Sequence, residues 1–173
     1  MKRFLGIMVI AVMAFLVGQK TMAQGYKFAH INSDDLIRAM PEYDSATVKL
    51  EKQRKELLNT LELMNVELQN KADAYSKEMK NLTDLVRQTK EQELQDMQAR
   101  IQTFQTNAQN TLQESQTTLF QPVFTKADKA IKDVGREGGY IYVFDSKPGQ
   151  ILYFDETKST NILAPVKAKL GLK

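Results

Sequence analysis

The chain of 173 residues has no cysteine, a single histidine, four prolines and eight glycines. Without cysteine there is no disulfide scaffold, and stability has to come from packing or from assembly. With His30 as the lone imidazole, no cluster of metal-ligand spacing and no paired nucleophile and base can be drawn from the sequence. The local absence is more informative. From Glu42 to Gln121, 80 residues pass without a glycine or a proline, so nearly half the chain lacks the residues that make tight turns. Such a stretch would reach roughly 120 Å as one helix, or roughly 60 Å if folded at its middle. Neither fits inside a compact domain.

Charge of one sign is also missing. The formal net charge is +3, but Lys2, Arg3 and Lys20 lie in a segment built like a secretory signal: basic Met1-Lys2-Arg3, apolar Phe4 to Val17, then Thr21-Met22-Ala23 before Gln24. Cleavage near Ala23 is expected, and it takes the 24 basic residues to 21, equal to the 21 acidic ones. The apolar run is shorter than the roughly 20 residues a spanning helix needs, and without a cysteine at the cleavage site it cannot carry a lipoprotein anchor. A neutral mature chain has no basic stripe for nucleic acid.

Within the glycine-free stretch, Leu57, Leu61, Met64, Leu68, Ala72, Tyr75, Met79, Leu82 and Val86 step by three or four residues and draw a narrow apolar seam. A second seam runs through Leu94, Met97, Ile101, Phe104, Ala108, Leu112, Ser115 and Leu119. Arg87 to Glu93 between them has no apolar side chain. Two matched seams around a polar break predict an antiparallel helical hairpin. Its tip is expected between about Asn81 and Gln92, where Asn81-Leu82-Thr83-Asp84 are the weakest helix formers. The competing reading is one uninterrupted helix paired with a second copy.

The ends read as a small α+β body, residues 24–41 and 122–173, carrying residues 42–121 as a helical arm. Tyr26 to Ile31 predicts a strand, Asn32-Ser33-Asp34-Asp35 a capped helix start, and Pro41 a kink or restart. The long helix is expected to run past Pro122 to a stop at Gly135 and Gly138-Gly139. Tyr140 to Asp145 and Gln150 to Asp155, around Ser146-Lys147-Pro148-Gly149, predict a β-hairpin. A last helix should follow, capped by Asn161 and carrying Ile162, Val166 and Leu170. A body of this size with hydrophobic sheet edges is marginal alone. Association of copies into a shared barrel is therefore expected, with Phe28, Tyr140, Tyr142, Phe144, Ile151 and Tyr153 as the intersubunit core. Asp145 and Asp155 would stand roughly 16 Å apart along such a hairpin, too far to share a proton, and no enzymatic reading or cofactor emerges.

Taken in order, Phe28-Ala29-His30-Ile31-Asn32 with Met40-Pro41, Gln121-Pro122-Val123 with Ala130 to Val134, Gly139-Tyr140 before Val143-Phe144-Asp145, and Val166 to Gly171 resemble the Skp/OmpH-like periplasmic chaperone family over essentially the whole mature chain. The resemblance implies a periplasmic homotrimer with a shared β-barrel body and three helical arms around a cavity. It implies an ATP-independent holdase for unfolded outer-membrane β-barrel proteins, with transient contact to a membrane surface as a further partner. Met79, Leu82, Leu85 and Val86 near the tip are the expected client contacts. The chain departs from the family's strongly basic character, since it is neutral with slightly acidic arms. The rival class is a structural coiled-coil adaptor or spacer in an envelope assembly.

Overall fold

The computed structural model describes residues 25–172; the export segment expected over residues 1–23 lies outside the described residues. The described residues open with strand β1, Phe28–Ile31, and helix α1, Ser33–Arg38. Asn32 starts that helix by accepting the N–H groups of Asp34 and Asp35 at 3.1 and 3.3 Å, while the two acids face the positive end of the helix dipole. Met40 is extended, and Pro41 then occupies the first position of α2, Pro41–Glu78. Proline lacks the N–H that position would leave unbonded anyway, so it restarts the helix here.

A 3₁₀ turn at Met79–Asn81 and an extended Leu82 end the run. Thr83 caps α3, Asp84–Glu137, through its hydroxyl and the Val86 N–H. The chain is therefore not one uninterrupted helix. Its break falls at the early edge of the expected interval, and the polar run Arg87 to Glu93 is helical. The two helices lie side by side in a consistent order. Glu42 at the start of α2 meets Lys126 late in α3, Tyr43 meets Phe120 at 5.4 Å, Tyr75 meets Glu91, and Glu78 meets Lys90 at 3.3 Å. Across the polar run, hydrogen bonds and ion pairs take the place of the apolar seam.

Helix α3 continues through Pro122, which removes one intrahelical bond without ending it. Gly135 was expected as part of the stop, but it lies inside the helix and is buried. A Cβ there would come within 3.2 Å of a Val143 methyl, so its missing side chain is what lets the sheet approach α3. The turn out of the helix belongs to Gly139, at φ +66°.

Strands β2, Tyr142–Asp145, and β3, Ser159–Asn161, flank β1 in the order β2-β1-β3, both parallel to it. Phe28 stands opposite Tyr142 and Ser159, and His30 opposite Phe144 and Asn161. The predicted hairpin does not form. Gln150 to Asp155 is not a strand, and residues 146–158 are instead the crossover that carries the chain from the end of β2 back to the start of β3. Parallel neighbours require such a return path, and it takes up the very residues whose β propensity suggested pairing. Helix α4, Leu163–Lys169, closes the body, with the Asn161 side chain accepting the Leu163 N–H at 2.9 Å.

Ala29 and Ile31 on one face of β1 pack with Leu36, Met40, Val123, Ala127, Val134, Ile162 and Val166 into one buried cluster. Strand residues alternate sides, so all the helices of the body cover the same face of the sheet. Among the described residues no helix lies on the other face.

Candidate functional site

The sheet face turned away from the helices is aromatic, open along Phe28, Tyr142 and Phe144 and covered over His30 by the Phe154 ring. Phe28 lies 6.4 Å from Tyr142 and 6.3 Å from Phe144, and Tyr142 and Phe144 stack at 5.8 Å. Parallel register brings this about, because it sets same-parity residues of β1 and β2 side by side. Tyr142 is 59% exposed and Phe144 40%. These rings form one contiguous aromatic patch outside the monomer's core cluster. The outer edges of β2 and β3 have no strand beside them among the described residues.

The six residues expected as an intersubunit core separate into three groups. Phe28, Tyr142 and Phe144 come together on the open face. Tyr140 precedes the strand and turns to the covered side, half-buried against the core, with its ring in the space above Gly138, where an added Cβ would lie 2.2 Å from it. Ile151 and Tyr153 sit in the crossover, the first half-buried and the second exposed. The loop side chain that reaches the sheet is Phe154, whose ring centre is 4.6 Å from that of His30. His30 is buried at the middle strand, with Nδ1 2.9 Å from the Ser159 hydroxyl. No local sequence signal distinguishes Phe154 from its neighbours, since its position depends on the path of the crossover.

Asp145 ties β2 to the start of α1. Its carboxylate accepts the Ser33 N–H at 3.1 Å, the Ser33 hydroxyl at 2.6 Å and the Lys147 N–H at 3.1 Å. Burial pushes its carboxyl upward, but the bonds from Ser33 and Lys147 and the Lys147 charge outweigh that and hold it below the ordinary aspartate range. Asp155 makes an unrelated local turn with Thr157. Among the described residues no group of three His, Asp or Glu side chains is placed to hold a metal ion.

Along α2 and α3, from Leu57 to Tyr75 and from Leu94 to Leu119, every seam residue is buried or half-buried, yet only Met97 and Ile101 are buried outright. Packing is therefore thin. Lys126 holds the Glu42 carboxyl below its usual value at the base, and the Glu91 carboxylate, accepting the Tyr75 hydroxyl, pushes that phenol up near the tip. At the tip Met79 and Val86 are exposed, Leu82 is half-buried and Leu85 is 75% exposed. All four fall in the turn or the first turn of α3, at the far end of the helix pair.

The model of the OmpH-like outer membrane protein family matches residues 27–170. No curated protein sequence matches the chain. Among solved structures it is similar to that of a candidate OmpH-like outer membrane chaperone from Caulobacter crescentus CB15, with 13% identity, a TM-score of 0.71, and coverage of 84% of this chain and 83% of that one. At that identity the likeness is one of fold.

Proposed function

This chain belongs to the OmpH-like outer membrane protein family, and on that premise we propose that it is an ATP-independent holdase chaperone of the periplasm. Copies associate through the open aromatic face into a homotrimer with a shared barrel. The α2–α3 pairs stand out from that body as antiparallel arms around a cavity that receives unfolded outer-membrane β-barrel proteins. Export by residues 1–23 delivers the chain to that compartment. The observation that carries this reading is the combination of an uncovered aromatic sheet face with a thinly packed helix pair whose turn exposes Met79, Leu85 and Val86. A small body gains its missing core by association, and weak apolar contacts repeated on several arms hold a client while each lets go easily. The same multiplicity accounts for release without nucleotide. A stiff envelope spacer is disfavoured by how little the two helices bury against each other.

The test is light scattering from a urea-unfolded outer-membrane β-barrel protein diluted into the mature protein without nucleotide. Suppression near one oligomer per client is expected. Full aggregation in the presence of excess protein refutes the reading.

A further inference from the structure

One side of the arm carries a continuous groove between α2 and α3, made of three adjoining cavities of about 320, 560 and 410 Å³. It begins beside Phe124, and Leu58 and Leu61 line its far end. Tyr43, Leu50, Leu57, Phe104, Leu112 and Phe120 supply apolar lining, and the small Ala108 lines the outermost cavity. Along its α3 wall run Gln105, Gln109, Gln113 and Gln116. Gln69, Gln92 and Gln121 bond neighbours on their own helices, whereas these four make no side-chain hydrogen bond among the described residues. The charges in the groove are Glu51 and Arg54, 3.6 Å apart and paired with each other.

We propose that this groove binds one extended, uncharged segment of an unfolded client, an apolar-alternating β-strand lying along the glutamine row. The inference rests on the chaperone reading and adds where and in what conformation a client is held. Gln105, Gln109 and Gln113 follow one another at four residues, about 6 Å along the helix, and Gln116 follows at three, about 4.5 Å. The backbone N–H and C=O groups along one edge of a strand repeat every two residues, about 6.7 Å. Gln105, Gln109 and Gln113 therefore offer an amide, both donor and acceptor, at nearly the spacing of a strand edge, and Gln116 extends the row by a shorter step. From Phe104 to Phe124 the groove is about 30 Å long, the length of about nine extended residues, and a membrane-spanning β-strand has about 9–11. A helix satisfies its own backbone and has no use for the amide row, and an acyl chain has no polar edge to meet it. A neutral groove also suits a client whose strand segments are uncharged, and so fits a chain that lacks a basic surplus.

The experiment uses the full mature protein with benzoylphenylalanine in place of Gln113, a urea-unfolded outer-membrane β-barrel protein, and nine-residue competitors alternating valine or tyrosine with threonine. One competitor is unmodified and one is N-methylated at every second amide. The expected result is a client crosslink at position 113 that the unmodified peptide competes away and the methylated peptide displaces about tenfold less well, since methylation removes the edge hydrogen bonds. Gln105→Leu with Gln109→Leu, both on an exposed wall and combined with the crosslinker at 113, should let the two peptides compete alike. Equal competition on the crosslinking protein that keeps Gln105 and Gln109, better competition by a helix-forming peptide of the same composition, or no crosslink at 113 while aggregation is still suppressed, overturns the groove and leaves the chaperone reading standing. Failure of the unsubstituted protein to suppress aggregation removes both.

Discussion

Replacing Tyr142 and Phe144 by serine tests the association on which the proposed cavity depends. An aromatic side chain offers about 200 Å², so the exposed fractions of 59% and 40% leave about 120 and 80 Å² for a neighbour to cover. At about 25 cal/mol per Å² this corresponds to about 3 and 2 kcal/mol, hence about 5 kcal/mol per subunit. Since 1.4 kcal/mol is a factor of ten, the constant for adding one subunit should fall more than a thousandfold. Neither side chain belongs to the monomer's own core cluster, so helix content should persist. Multi-angle light scattering of the mature double variant should report the monomer mass, and circular dichroism at 222 nm should stay close to that of the parent. An unchanged oligomer mass would refute the argument that the open face is the contact between copies. A monomer mass already present in the parent would do the same.

The remaining predictions concern the two packing regimes of the fold. Asp145→Asn should cost about 2 kcal/mol at neutral pH, because three hydrogen bonds lose their charged acceptor in a half-buried setting. The folded carboxyl lies below its ordinary value, so its stabilisation is fully present above the unfolded value near 3.9 and is lost as pH falls through the folded value. Urea melts of parent and variant should therefore converge in acid, and a constant gap down to that range would contradict the assignment. Ile101→Ala, at one of the two outright buried arm positions away from the base, should cost about 2–4 kcal/mol and act locally. Hydrogen exchange should quicken along α2 and α3 while the amides of β1 and α4 stay protected, and equal loosening of the body would mean that arm and body open as one unit.

What could be read from the chain follows the range of the forces involved. Helices depend on bonds four residues long and on side chains three or four apart, so the absence of glycine and proline from Glu42 to Gln121 and the two leucine-rich seams already contained α2 and α3. Thr83 with its weak-forming neighbours placed the break to within a few residues. The cap at Asn32 and the restart at Pro41 were equally local. Gly135 was misread because a glycine near a helix end ordinarily signals a stop, whereas its role here is to admit Val143, a residue of another element.

Sheet pairing has no such locality. β2 lies beside β1 across more than a hundred residues, and its register was decided by the closing of α1, α3 and α4 over one face of the sheet. Local pattern favoured a hairpin at Lys147-Pro148-Gly149, and it gave no hint that the polar Ser159-Thr160-Asn161 would be the third strand, held by backbone bonds rather than by apolar side chains. The turning of Tyr140 toward the core, the seating of Phe154 over His30 and the grip of Asp145 on Ser33 depend on that same topology. So does the alignment of four glutamines along a groove, which needs α2 beside α3 to supply the opposite wall. By itself the sequence determined which segments are helical and that the body would be left with apolar surface to cover. Only the tertiary structure decided which face stayed open and which side chains stand on it, because contacts between distant residues form only once the whole chain has chosen its partners.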